Sequence, residues 1–260
     1  MLERLSRDWR VARTGSAFAF FFGGGALLAG ALPVARRLGG NSEGFDLRAQ
    51  RWIAQGYRLF IAYMERAGLT RVRFEGGERL AGPGPLLVVA NHPTLVDTPL
   101  LGHRMPQADC IANPDWADHP LLRGAIAAAN YVRNDAGAEA IEEGVRRLRQ
   151  GRRVLIFPEG TRTPFGVPLG PLRRGAAHIA LRAGVDLTPV AIRCRPRTLM
   201  KGQRWHEVPD RAFDLTVRVL DPLAPKQVLA GDETASVAAR KLTAALRERF
   251  LAALAEEARP

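Results

Sequence analysis

The sequence predicts an α/β fold: a mixed, mostly parallel central sheet flanked by helices, with an N-terminal helical membrane-attachment segment. Three observations predict it. Leu86 to Ala90 and Arg153 to Phe157 are short continuous apolar runs, the first bounded by Gly82-Pro83-Gly84-Pro85, as suits strands buried on both faces of a sheet. Strand candidates of this kind alternate along the chain with segments of helical period, the pattern of a layered sandwich. Finally, Thr14 to Ala35 is free of charge for long enough to cross a bilayer, for which about 20 apolar residues suffice.

Taken in order, residues 1–13 carry Arg4, Arg7, Arg10 and Arg13 with Trp9, a basic and aromatic lead into the uncharged stretch. That stretch holds Gly23-Gly24-Gly25, Gly30 and Pro33, and Arg36-Arg37 follow at once. Arginines on both sides set no orientation, which leaves open a single span or a re-entrant or interfacial segment with both ends on the cytoplasmic side. No small-residue cleavage pattern precedes Arg36-Arg37, which argues against a cleaved signal peptide. From Asp46 to Gly68, Ala49, Trp52, Ile53, Tyr57, Phe60, Ile61 and Met64 recur at helical steps, with Arg48, Arg51, Arg58 and Glu65 elsewhere on the wheel. This amphipathic helix can pack on the domain or lie among lipid headgroups. Residues 1–68 thus read as a membrane-associated helical segment, and 69–260 as a single α/β domain of ordinary size.

Thr70 to Gly76 alternates as an edge strand, and Leu86 to Ala90 is a buried one. Pro93 suits the first turn of a helix that Pro99 to Gly102 continues. Ala108 to Ala112 is a strand candidate, and Leu121 to Tyr131 is Ala-rich helix or strand. Ala136 to Gln150 is a helix with Ile141, Val145 and Leu148 inward, closed by Gly151. The Arg153 strand leads into a Pro/Gly-rich loop through Pro171. A helix from Arg173 to Ala183, closed by Gly184, precedes strands at Leu187 to Ile192 and Phe213 to Leu220, and Thr234 to Glu257 is a long Ala-rich helix.

The net charge of +12 implies an anionic partner, such as lipid headgroups, an acidic carrier or a phosphate-bearing substrate. Lys201, Lys226 and Lys241 are the only lysines among the 38 basic residues. No nucleic-acid-binding motif is recognisable, so no nucleic acid is expected as a partner. Cys110 and Cys194 read as free, buried thiols in a reducing compartment. They share no metal-ligand spacing with His103, His119, His178 or His206, and neither a metal nor another cofactor is expected. Nor is there a Gly-x-x-x-x-Gly-Lys-Ser/Thr, a Gly-x-Gly-x-x-Gly after a strand or a His-Glu-x-x-His, which argues against nucleotide hydrolysis, dinucleotide redox chemistry and zinc hydrolysis.

Two blocks carry chemistry. The first apolar run ends in Asn91-His92 and reaches Asp97 five residues later. A carboxylate on one ring nitrogen of His92 would fix the tautomer and leave the other nitrogen as a base, at the strand ends where such sheets bind ligands. The second run feeds Pro158-Glu159-Gly160-Thr161-Arg162. Gly160 permits a tight turn with exposed N–H groups, and Arg162 can hold a phosphate bidentately, with Glu159 orienting it or bonding an acceptor hydroxyl.

Together the blocks resemble those of the glycerolipid acyltransferase family, whose best-known members act on 1-acylglycerol-3-phosphate. The family's Asn-His-x-x-x-x-Asp is met by Asn91, His92 and Asp97, and its Phe-Pro-Glu-Gly-Thr-Arg is met without change by Phe157 to Arg162. A third block, Val-Pro-Val/Ile-like, is met by Thr188 to Ile192 with Thr in first place. The remaining one has only a loose counterpart in Asn130 to Asp135, where Arg133 would bind phosphate but Asn stands where Gly is expected.

The resemblance covers roughly residues 70 to 195. It implies transfer of a fatty acyl group from acyl-CoA or acyl carrier protein to a lysophospholipid hydroxyl, at the cytoplasmic face of the inner membrane and against its anionic surface. His92 and Asp97 would be catalytic, with Asn91, Arg133, Glu159, Gly160, Thr161 and Arg162 binding substrate. The loose match at Asn130 to Asp135 leaves room for an amine, aryl or other lipid acceptor, and the charge alone would also suit a non-catalytic basic membrane- or nucleic-acid-binding protein. Ser6, Ser16, Ser42 and Ser236 lie near neither block and no Gly-x-Ser-x-Gly occurs, so direct transfer without a seryl intermediate is expected.

Overall fold

The computed structural model describes residues 2–38 and 44–256; Ser42 and Glu257 lie outside them. In chain order the elements are α1 (Leu2–Leu38), α2 (Phe45–Arg66), β1 (Thr70–Glu75), β2 (Leu86–Ala90), α3 (Asp97–Gly102), β3 (Ala108–Ala112), α4 (Pro114–Ala117) and α5 (Arg123–Ala128). They continue with β4 (Val132–Arg133), α6 (Ala138–Arg149), β5 (Arg153–Ile156), α7 (Gly175–Ala183), β6 (Leu187–Arg195), β7 (Phe213–Val219) and α8 (Ala235–Glu256).

The strands form one sheet in the order β1-β7-β6-β2-β5-β3-β4. Every neighbouring pair is parallel except β6 with β7, so the sheet is mixed and mostly parallel, as its sequence predicts. The central strands are apolar throughout because both faces are covered. On β2, Leu87 and Val89 enter one core with Val154, Ile179, Leu242, Leu246 and Phe250, beneath α6, α7 and α8. Val88 and Ala90, on the opposite face, join Phe60, Ile61, Met64, Leu100, Leu101 and Cys110, beneath α2 and α3. Strand β7 alternates buried and part-exposed residues and β1 more covered and exposed ones, as strands with one covered face do.

Several elements depart from the sequence-based expectation. Pro93 is not helical: residues 91–93 form no regular element, a turn follows, and α3 begins at Asp97 itself. The stretch 121–131 holds the short helix α5, and the two-residue strand β4 follows it unforeseen. The helices expected from Ala136 and Arg173 start two residues later, and β6 runs on to Arg195.

The N-terminal stretch forms one 37-residue helix through the glycine triplet and Pro33, and an 18-residue window in Arg7–Leu38 has mean hydropathy 1.8 and is largely unburied. It is long and apolar enough to cross a membrane by length and composition. Gly25 of the triplet and Gly124 of α5 are packing sites, while Gly23, Gly24 and Gly30 face open space. A Cβ on Gly25 would strike the Leu122 side chain and one on Gly124 the Ala29 carbonyl, so α1 and α5 approach almost backbone to backbone.

Helix α2 packs on the domain, burying Phe45, Ala49, Ile53, Phe60, Ile61 and Met64, while Trp52 faces outward. Its hold is partly ionic. Buried Gln50 donates to Asp109 Oδ1 at 2.8 Å and to the Ala129 carbonyl at 2.9 Å. Asp109 also takes Arg147 and Arg152, and Arg152 reaches back to Asp46 at 2.8 Å. A buried carboxylate needs such partners, and here they tie α2 to the sheet's floor.

Candidate active site

The carboxyl ends of β2 and β5 are neighbours, so Asn91-His92 and Phe157 to Arg162 emerge side by side. The His92 N–H donates to Glu159 Oε1 at 2.8 Å, and the Thr163 N–H donates to the His92 carbonyl at 2.7 Å. The two motif loops are thereby laced together around the histidine.

The imidazole is oriented by a carboxylate that is itself fully restrained. His92 Nδ1 lies 2.7 Å from Asp97 Oδ2. Asp97 is wholly buried and also accepts the Thr94 N–H and hydroxyl, each at 2.7 Å. A carboxylate there accepts from Nδ1–H, which in the neutral ring leaves the lone pair on Nε2. The ring stacks on Phe157 with centroids 4.3 Å apart. Three-residue spacing between Thr94 and Asp97 is that of a capping box, so the sequence did hold a signal for Thr94.

Three residues assigned to substrate contact turn out to organise the loops or stand apart. Asn91 Nδ2 donates to the Ile192 carbonyl at 2.8 Å and its Oδ1 accepts the Ile192 N–H at 2.6 Å, extending the β2–β6 ladder past its last residue. Glu159 meets neither Arg162 nor open cavity. Besides the His92 N–H it accepts the Thr163 hydroxyl at 2.9 Å and the Gly170 N–H at 2.7 Å. Arg133 does not line the cavity and is bonded to Asp118 at 2.7 and 3.0 Å and to Asp135 at 3.0 and 3.1 Å.

His92, Gly160, Thr161 and Arg162 instead line one cavity of about 500 Å³. Gly160 sits at φ +69°, left-handed, and a Cβ there would meet Arg173. Arg162 Nη1 donates to the Leu199 and Met200 carbonyls at 3.0 and 2.9 Å. Burial pulls its guanidinium below the ordinary value while Asp97 acts in the opposite sense; it stays a cation at any working pH.

Much of the rest of the wall is apolar and comes from places that sequence motifs cannot reach. Phe18, Phe21 and Phe22 of α1, Tyr57, Phe60 and Met64 of α2, and Trp205 enclose it. At the inner wall the Cys110 thiol is pushed up to about 12 by burial and then by Asp109, so it is protonated and inert. A base beside a cation at the end of a long apolar pocket can activate a hydroxyl of an amphiphile that carries an anionic group.

Residues 71–193 match the acyltransferase family. That match spans just under half of the chain, and across it the chain resembles the glycerolipid acyltransferases. The chain is 29% identical over 211 residues to a mouse protein named 1-acyl-sn-glycerol-3-phosphate acyltransferase alpha, a match covering 78% of this chain and 69% of that one. It is 25% identical over 178 residues to a Pseudomonas aeruginosa 1-acyl-sn-glycerol-3-phosphate acyltransferase, with 65% of each chain covered. It is also 35% identical over 115 residues to a lyso-ornithine lipid O-acyltransferase of P. aeruginosa, across 43% of this chain and 44% of that one. Its fold matches the crystal structure of the Thermotoga maritima 1-acyl-sn-glycerophosphate acyltransferase with a TM-score of 0.70, at 20% identity over 98% of both chains.

Proposed function

We propose that this acyltransferase moves a fatty acyl group from an acyl thioester to the free hydroxyl of 1-acylglycerol-3-phosphate. The observation that carries the proposal is the Asp97-oriented His92, whose second nitrogen remains for the cavity that Arg162 also lines. Nε2 takes the acceptor's hydroxyl proton as its oxygen attacks the thioester carbonyl, and Asp97 stabilises the imidazolium that forms. Collapse of the tetrahedral intermediate expels the thiolate, which leaves with the proton from His92. Arg162 pairs with the acceptor phosphate.

The thioester is carried by coenzyme A or acyl carrier protein. Residues 1–68 are the membrane-attachment segment and 69–260 the acyltransferase domain, working at the cytoplasmic face of the inner membrane. Supporting this, Trp9, Phe20, Leu27, Val34 and Leu38 stand exposed on α1, whose Phe18, Phe21 and Phe22 line the cavity, so an acceptor could enter from lipid.

A second reading keeps the chemistry and changes the acceptor to a phosphate-free lysolipid. It is favoured by the loss of Arg133 to two carboxylates and by the likeness to the lyso-ornithine lipid enzyme. Purified full-length protein in vesicles, supplied with acyl-CoA or acyl carrier protein and a panel of lysolipids, decides between them by mass spectrometry of the products. Transfer to 1-acylglycerol-3-phosphate that disappears in His92→Ala is expected; transfer only to phosphate-free acceptors supports the second reading, and transfer to none overturns both.

A further inference from the structure

We propose that Lys201 is the second cation of the anion site, taking with Arg162 the phosphate monoester of the acceptor. The inference rests on the proposed function and supplies what Arg133 does not. A phosphate monoester near neutral pH carries a charge between about −1.5 and −2. Arg162 alone offsets only part of that, and its Nη1 is already committed to two carbonyls.

Of the cavity's lining residues, only Arg162 and Lys201 are permanent cations. Lys201 is delivered by the arginine itself, because the carbonyls that Arg162 grips belong to the two residues immediately before it. From the other side, the Leu95 N–H donates to the Leu199 carbonyl at 3.1 Å, tying the segment to the turn between His92 and Asp97. Beyond Lys201 the chain turns back through Gly202 at φ +81°. Gln203 closes that turn, its side chain accepting the Met200 N–H at 3.1 Å and its own N–H donating to the Met200 carbonyl at 3.2 Å.

The backbone is thus held on both flanks, while the ammonium makes no hydrogen bond or ion pair among the described residues. Asp115, the one carboxylate lining the cavity, pairs with neither cation. Lys241, by contrast, is 2.7 Å from Glu233. A lysine suits the position, since a flexible stem can follow a phosphate that moves with its glycerol.

With only three lysines in the chain, brief treatment with an amine-selective ester and peptide mass spectrometry reads each one separately. We expect 1-acylglycerol-3-phosphate in vesicles to slow Lys201 modification at least about fivefold while Lys226 and Lys241 are unchanged. Protection by glycerol 3-phosphate would show that the headgroup suffices. Protection by unacylated coenzyme A and not by the acceptor would overturn the proposal in favour of the donor's phosphates, and protection by neither would overturn it outright.

Kinetically, Lys201→Met should raise KM for 1-acylglycerol-3-phosphate about tenfold with kcat nearly unchanged, the loss of one charge-assisted contact. Lys201→Arg should restore it, and transfer to a monoacylglycerol should be unaffected. An unchanged KM in Lys201→Met would refute the assignment. Protection of Lys201 in a wild-type protein that transfers nothing to the lysophosphatidate would instead sink the proposed function and leave the anion site standing.

Discussion

Arg162 and Arg133 both lie just beyond or at the carboxyl ends of parallel strands, yet they present opposite electrostatics. Arg162 donates to two neutral carbonyls, which fix its plane and leave its charge uncancelled. Arg133, with its side chain 42% exposed, sits between Asp118 and Asp135, and the three together carry a net charge of −1. One group attracts a phosphate and the other repels it. A guanidinium is an anion site only where its protein partners are neutral, and an arginine's position in a motif does not reveal its partners.

This contrast can be broken at several points. The largest effect belongs to the base that the anion site serves: His92→Ala should lower kcat about 10³-fold in a thioester-consumption assay while vesicle flotation is unchanged. Arg162→Ala should lower kcat/KM for 1-acylglycerol-3-phosphate about 10- to 100-fold, and Arg133→Gln less than about twofold. Equal losses in the two arginine variants would erase the distinction drawn here.

Gly160→Ala tests the loop that presents Arg162. A left-handed alanine whose Cβ would come within 2.8 Å of Arg173 Nε should cost about 1–2 kcal/mol, read as a lower Tm. The smallest effect concerns the Arg133 cluster. Hydrogen bonds from Arg133 hold the Asp118 and Asp135 carboxyls below the usual carboxylate range. Because their folded-state values are depressed, the stabilisation is present above the ordinary value near 3.9 and is lost as pH falls through the folded-state values. Thermal melts from pH 5 to pH 3 should therefore fall less steeply in Arg133→Gln than in the parent protein. Both faces of this cluster are open to solvent, so the difference should be slight.

Much of the fold was legible in advance. Apolar runs at Leu86 and Arg153 became adjacent parallel strands because only doubly covered strands lack polar positions. The His92–Asp97 pair was equally legible, since five residues of chain cannot carry the carboxylate far from the ring. Where expectation and structure part, the missing information is a partner distant in sequence. Nothing near Asn91 announces Ile192, nothing near Glu159 announces the His92 N–H, and nothing in Asn130 to Asp135 announces Asp118. The glycine triplet offered a local reason to interrupt α1, yet the helix runs through it, and Gly25 lies against α5, a partner that nothing nearby in the sequence announces.

By itself the sequence determined the sheet's central strands, the histidine–carboxylate pair and the motif resemblance, all of which depend on residues close together in the chain. Only the tertiary structure decided which cations face the cavity and that α1, α2 and the Trp205 loop wall it. Those outcomes depend on which counterion or apolar surface arrives from elsewhere in the chain, and local spacing carries no record of that arrival.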